Sequence, residues 1–214
     1  MILRRFEGGP FQENGYLVVC PDTGEAAAVD PGGGTPLMVE ALESHGWTLS
    51  KILLTHAHID HVDGIPLLRR LVPDVPIHLH PSDRPLYDAA PSQAAMFGLP
   101  PVVLPPVDVD LVPGVAVRVG EVELDVDFAP GHAPGHVILG HAGTASVLVG
   151  DVVFRGSIGR TDLPGGDTAT LMASIRDRIL PLPDGTRLFP GHGPETTVEL
   201  ERRTNPFLLE LQRR

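Results

Sequence analysis

Thr55-His56-Ala57-His58-Ile59-Asp60-His61-Val62-Asp63-Gly64 is the stretch on which the reading of the whole chain turns. Three imidazoles and the Asp60 carboxylate fall within six positions, and such groups enter a protein interior only with polar partners. The neighbouring sequence supplies few partners, whereas a pair of divalent ions would supply all of them. Upstream, Lys51-Ile-Leu-Leu54 reads as a buried strand; downstream, Gly64-Ile-Pro-Leu-Leu-Arg-Arg-Leu-Val72 reads as the first turns of an amphipathic helix. The cluster therefore falls on the turn at the carboxyl end of a strand, where α/β proteins place their ligand sites.

Working outward, three further segments share one layout: an apolar strand, a Gly or Pro turn, then a His or Asp. They are Phe128-Ala-Pro-Gly-His132, Val147-Leu-Val-Gly-Asp151 and Leu188-Phe-Pro-Gly-His192. One metal-type residue at the end of each of four strands converges them on a single sheet edge. The natural division puts His56, His58 and His132 on one ion and Asp60, His61 and His192 on the other, with Asp151 bridging. All of these donors are nitrogen or oxygen, which suits Zn2+ and also accepts Fe or Mn, because no thiolate selects a soft ion. Two divalent ions, Asp60, Asp151 and one hydroxide would leave a small net positive charge, attractive to an anion or a polarised carbonyl. A lone histidine is ordinarily a satisfied structural group, and His45, His78, His80 and His141 are read that way. His136, four residues beyond His132, reads either as a ligand or, with its spacing favouring this, as a hydrogen-bonding neighbour of the ligands.

The 214 residues, 42% hydrophobic and 20% charged, have ordinary globular composition. A net charge of −11 and a pI near 5.2, without basic runs, disfavour nucleic acid and anionic membranes as partners. The single Cys20 excludes an internal disulfide and a multi-cysteine zinc site. The amino-terminal residues have no apolar signal core and no window approaches a membrane span, so a cytoplasmic protein, monomer or homodimer, is expected. The six prolines between Pro91 and Pro113 predict an irregular surface crossing or lid.

Strands are expected at Asn14–Cys20, Ala26–Asp30, Lys51–Thr55, Pro76–His80, Val115–Val119, Glu121–Phe128, Val137–His141, Ser146–Asp151 and Arg187–Pro190. Helices are expected at Thr35–His45, His61–Leu71, Asp167–Leu180 and Glu195–Arg202, with a short one opened by Asn205-Pro206. Thr35 reads as a helix cap ahead of Pro36, and Gly46 as that helix's stop. The two halves are alike in make-up. Two sheets packed face to face with helices outside would bury them together, as a single domain over residues 1–214.

The His-x-His-x-Asp-His run at His56–His61, with Asn14-Gly-Tyr16 and Val29-Asp-Pro-Gly32, resembles the metallo-β-lactamase superfamily over nearly the whole chain. The resemblance implies a four-layer αββα sandwich with a dinuclear site at one edge, and its ligand pattern agrees with the division above. It also implies an outer acidic role for Asp30. Within the superfamily, Gly156-Ser-Ile-Gly-Arg-Thr-Asp-Leu-Pro-Gly-Gly166 and Gly191-His-Gly-Pro-Glu-Thr-Thr197 are similar to the short bacterial branch of glyoxalase II, the hydroxyacylglutathione hydrolases. With the sequence ending soon after Asn205-Pro206-Phe207, the helical extension with which full-length glyoxalase II helps hold glutathione is expected to be largely missing. That likeness implies hydrolysis of S-(2-hydroxyacyl)glutathione or a related small-molecule thioester by hydroxide held between two ions. Asp60 would orient the hydroxide, and Arg160 would grip the thiol carrier. Three alternatives remain open: a persulfide dioxygenase with one iron on His56, His132 and Asp151, a lactone hydrolase, and a metal-bearing module with little activity.

Overall fold

The computed structural model describes residues 1–213. The first sheet comprises β1 (Ile2–Gly8), β2 (Glu13–Val19), β3 (Glu25–Val29), β4 (Thr48–Leu53), β5 (Ile77–Leu79) and β6 (Val109–Asp110), in that spatial order. β1, β2 and β3 are antiparallel neighbours, and β3 to β6 run parallel. The second sheet contains β7 (Val117–Val119), β8 (Val122–Phe128), β9 (Val137–His141), β10 (Ser146–Gly150), β13 (Arg187–Pro190) and β14 (Thr196–Thr197). Its order is β14-β13-β10-β9-β8-β7, with only the β10–β13 pair parallel. A small hairpin, β11 (Val153–Phe154) and β12 (Ser157–Ile158), leaves the end of β10.

Two-residue alternation sorts the strand side chains into layers. Tyr16, Val18, Ala27, Val29 and Leu53 of the first sheet meet Val122, Leu124, Val126, Leu139 and Leu148 of the second in one buried cluster between the sheets. The opposite faces of β2 and β3, through Leu17, Val19, Ala26 and Ala28, pack on helices α1 (Thr35–His45) and α3 (Ile65–Leu71). Val147, Val149 and Leu188 pack on α6 (Thr168–Ser174), its π-helical continuation Ile175–Ile179, α7 (Val198–Thr204) and α8 (Pro206–Leu211). Burying each such Leu, Ile or Val contributes about 1.5–3 kcal/mol. The result is helix, sheet, sheet, helix, the expected four-layer sandwich of two mixed sheets. β8, Val-Glu-Leu-Asp-Val-Asp-Phe, shows the rule most plainly: its valines and leucine are buried while Glu123 and Asp125 are exposed.

Several elements differ from expectation. The helix expected over His61–Leu71 is two pieces, α2 (Ile59–Val62) and α3, parted at Asp63-Gly64. Gly64 N–H donates to Pro31 O (2.9 Å) instead of continuing a helical ladder, and Pro66 has no N–H to offer. Thr35 does not cap α1; its hydroxyl donates to Gly32 O at 2.6 Å and the cap position is Gly34. The helix expected from Glu195 starts at Val198, because Thr196 and Thr197 are taken up by pairing with β13. The proline-rich crossing carries helix α5 (Ala90–Met96), preceded by the short α4 (Arg84–Asp88). Asp167, Gly46 and Asn205 act as the cap, stop and cap that their sequence positions suggest. β1, β6, β14 and the β11–β12 hairpin were not expected. Among the described residues no helix is long and apolar enough to cross a membrane.

Candidate metal centre

Every expected ligand reaches the same place. His56, His58, Asp60 and His61 lie on the turn after β4 and on α2, His132 follows β8, Asp151 follows β10, and His192 follows β13. His58 Nδ1 and His56 Nε2 lie 2.8 and 3.2 Å from His132 Nε2. On the other side, His192 Nε2 is 3.3 Å and His61 Nε2 3.9 Å from Asp60 Oδ2. Asp151 stands between: its Oδ2 is 3.4 Å from His132 Nε2 and 3.5 Å from His192 Nε2, and its Oδ1 is 3.5 Å from His61 Nε2.

Hydrogen bonds behind these rings fix which nitrogen faces inward. His132 Nδ1 donates to Arg160 O (2.7 Å), leaving Nε2 as a lone pair. Thr55 Oγ1 donates to Asp30 Oδ2 (2.6 Å) and therefore accepts from His56 Nδ1 (3.1 Å), so His56 Nε2 is also a lone pair. His61 Nδ1 donates to the same Asp30 oxygen at 3.2 Å, and His192 Nδ1 to Phe11 O at 3.2 Å. Asp30 also accepts the Thr55 backbone N–H at 2.7 Å. It holds this position with φ of +47°, a left-handed conformation costing a non-glycine residue about 1–2 kcal/mol, offset by those three bonds. His136 accepts the Asp151 backbone N–H on Nε2 (3.0 Å) and stacks on His56, as a neighbour of the ligands.

The donor set fits divalent cations. Two lone pairs meet at 3.2 Å between His56 and His132, which repels unless a cation lies between them. His61 Nε2 and Asp151 Oδ1 are buried without a hydrogen-bond partner, a costly state for polar atoms. Within each of the groups His56–His58–His132 and Asp60–His61–His192, one donor atom per residue lies within 4.8 Å of the others. Asp30, His56 and His61 satisfy the same spacing, but Asp30 is already committed to three hydrogen bonds behind the rings.

Electrostatics divide the cluster in two. Burial, reinforced by neighbouring imidazoles, holds His56 well below the ordinary imidazole value, His58 at about 3 and His132 at about 4, so this group is neutral. Burial also works against charge on His61, yet Asp151, Asp60 and Asp30 hold its pKa well above 6.5. Asp60 is lowered in spite of its burial, by His61 and His192, and remains a carboxylate.

Contacts that the sequence did not disclose hold the loops together. The buried Asp83 accepts the Ala57 N–H (3.0 Å) with one oxygen and the Gly135 N–H with the other, tying the first ligand turn to the His132 loop. Gln93 on α5 accepts from Ile59 N (3.1 Å) and donates to Ala57 O (3.2 Å). Asn14 Nδ2 donates to Pro190 O and Gly193 O (3.0 and 2.7 Å), straddling His192. Asp83 and Gln93 belong to no motif quoted above, and the Asn14-Gly-Tyr16 stretch did not state what Asn14 bonds. Glycine is required where backbone meets ligand: a Cβ on Gly191 would overlap Asp151 Oδ1 and lie 2.6 Å from His61 Cε1. The Gly156–Gly166 segment acts on the cluster through its backbone, by the Arg160 carbonyl, while the exposed Arg160 guanidinium pairs with Asp162 at 2.7 and 2.8 Å on the rim.

A cleft of about 390 Å³ opens over the cluster, with His58, Asp60, His132, Asp151 and His192 as its polar floor. Its remaining lining, which includes Phe11, Phe97, Phe154, Ser157, Arg160 and Leu163, has no further acid or histidine among the described residues.

The chain is similar to known proteins over almost its full length. It is 38% identical to the probable metallo-hydrolase YqgX of Bacillus subtilis, over 96% of each chain. It is 36% identical to the hydroxyacylglutathione hydrolase GloC of Haemophilus influenzae, over 92% of this chain and 93% of GloC. Among solved structures, TTHA1623 in a di-iron-bound form superposes with a TM-score of 0.86 at 43% identity, covering 96% of this chain and 100% of that one. The BLEG-1 B3 metallo-β-lactamase superposes at 0.89 with 37% identity, covering 97% and 99%. The metallo-β-lactamase superfamily model matches residues 8–192, a span that takes in every residue of the cluster. A sandwich of this topology, with nitrogen and oxygen donors gathered at one edge, makes the chain a member of the metallo-β-lactamase superfamily of metal-dependent hydrolases.

Proposed function

We propose that this protein is a dinuclear hydrolase of small thioesters, of the glyoxalase II kind, cleaving S-(2-hydroxyacyl)glutathione or a related thiol ester. The observation that carries the reading is Asp151, with one carboxylate oxygen 3.4 and 3.5 Å from imidazoles of the two separate ligand groups. From there Asp151 would bridge two ions. His56, His58 and His132 would hold one ion, Asp60, His61 and His192 the other, with Zn2+ the first choice and Fe or Mn compatible. Ions bound there supply Lewis acidity for a carbonyl and acidify a water toward neutral pH.

The chain's own residues do the rest. Asp60, ionised and lining the cleft floor, accepts a hydrogen bond from the attacking water and so aims it. Arg160, the one cationic side chain lining the cleft among the described residues, offers a bidentate partner to a carboxylate of the thiol carrier. Its pairing with Asp162 on the exposed rim is screened by solvent and weak, so a substrate carboxylate can displace it. Among the described residues no spare acid lines the cleft to protonate a leaving nitrogen or alkoxide. A thiolate, whose conjugate acid has a pKa of about 8.5, departs without one. The cleft chemistry thus favours thioesters over amides and lactones.

Elemental analysis of purified protein, with S-lactoylglutathione hydrolysis and oxygen uptake on a persulfide measured in parallel, tests the reading. Two ions per chain with thioester cleavage is the expected result. One iron per chain with oxygen consumption would replace it with the dioxygenase.

A further inference from the structure

The seven phenylalanines, two tyrosines and one tryptophan make this an aromatic-poor chain, yet three of those phenylalanines line the cleft. They come from three distant segments: Phe11 from the β1–β2 turn, Phe97 from the end of α5, and Phe154 from β11. Phe97 stands edge-on to Phe11 with centroids 5.3 Å apart, and Phe154 edge-on to His192 at 5.9 Å. Phe97 is 37% exposed and the adjoining Met96 66% exposed, so this wall faces the cleft and solvent instead of filling a core. The aromatic wall is attached to the His192 side of the cluster, since Phe11 O accepts from His192 Nδ1. Arg160, the only cationic group lining the cleft among the described residues, is attached instead to His132. The cleft therefore has its aromatic wall beside His192, while the Arg160 guanidinium, paired with Asp162, stands at the exposed rim. A volume of about 390 Å³ lies at the small end of ligand clefts, leaving room for one compact apolar group beside the reacting carbonyl.

We infer that the acyl half of the substrate carries an apolar, preferably aromatic, side chain seated against Phe11, Phe97 and Phe154, and that this wall sets acyl specificity. The inference rests on the thioester reading above and adds the acyl class to it. Offset or edge-to-face contact with a substrate ring adds to the burial of its surface, whereas a methyl group reaches little of the wall.

The test compares S-mandeloylglutathione with S-lactoylglutathione on the metal-loaded enzyme; the two substrates differ only by phenyl against methyl. Equilibrium binding of free mandelate and free lactate is measured alongside by calorimetry. The expected result is a preference of about tenfold or more for the mandeloyl substrate in kcat/KM, and tighter binding of mandelate than lactate. Phe97→Ser should reduce both preferences at least about threefold, while Phe97→Leu, which keeps an apolar surface, should retain most of them. Equal or reversed preference in both measurements, unchanged by Phe97→Ser, overturns the inference. Should neither thioester be cleaved, the hydrolase reading fails and the calorimetric comparison still decides for or against an apolar wall.

Discussion

Replacing Thr55 by Val tests whether the groups behind the histidines, and not only the histidines, set metal affinity. Valine preserves the β-branched shape in the turn after β4 and keeps the backbone N–H that Asp30 accepts at 2.7 Å. What disappears is the hydroxyl that accepts from His56 Nδ1 and donates to Asp30 Oδ2, in a fully buried setting. His56 Nδ1–H is then left without an acceptor, a penalty of about 1–3 kcal/mol for a buried donor. In metal-free protein the ring can relieve that penalty by moving its proton to Nε2, the nitrogen that must face the ion. Binding has to reverse the change, so the cost falls on affinity: about tenfold to hundredfold, or about 1.4–2.8 kcal/mol. Competition against a chromogenic chelator measures affinity, and thermal melting of the metal-free protein measures stability. A variant with normal melting and affinity within about twofold of wild type would refute the argument. So would a variant that loses stability alone, since the hydroxyl would then serve folding and not the presentation of Nε2.

Three further outcomes are expected. Asp151→Ala should abolish thioester turnover and metal retention together, read by elemental analysis after dialysis; retention of both ions with normal turnover would remove the bridging role. Asp83→Ala strands the buried Ala57 and Gly135 N–H groups and should lower stability by roughly 2–4 kcal/mol, seen as a melting temperature lower by roughly 5–10 °C. Burial pushes the Asp83 carboxyl up to about 6, outweighing its two N–H donors. The folded state therefore binds this proton more tightly than the unfolded chain, so on this group's account stability falls as pH rises from about 4 to about 6. Asp83→Asn should remove that part of the slope, measured by denaturant midpoints across the range; an unchanged slope would show that folding does not raise the Asp83 pKa.

Residues that carry their own chemistry were legible without coordinates. His56, His58, Asp60 and His61 declare themselves because four donors within six positions have no apolar explanation. His132, Asp151 and His192 follow because each ends a strand-like run in a Gly turn. The sandwich was legible for a similar reason: two-residue alternation over β8 and continuous apolar runs in β2 and β10 state which faces are buried. Elements whose stability is borrowed from a partner were not. β1 is half-exposed and is strand because it pairs with β2 along its whole length; β14 is two threonines that find β13. The break between α2 and α3 depends on Gly64 meeting Pro31, more than thirty residues away in sequence.

The sequence by itself determined which nitrogen and oxygen donors are available and the layered architecture, because donor identity and hydrophobic period are local properties. Only the tertiary structure decided which nitrogen each ring presents, that Asp83 and Gln93 clamp the first ligand turn, that the Arg160 backbone and not its charge meets His132, and that three phenylalanines wall one side of the cleft. Hydrogen-bond direction and packing are set by groups 25 to 181 residues apart in the chain, and the spacing of residues along a sequence holds no record of such distances.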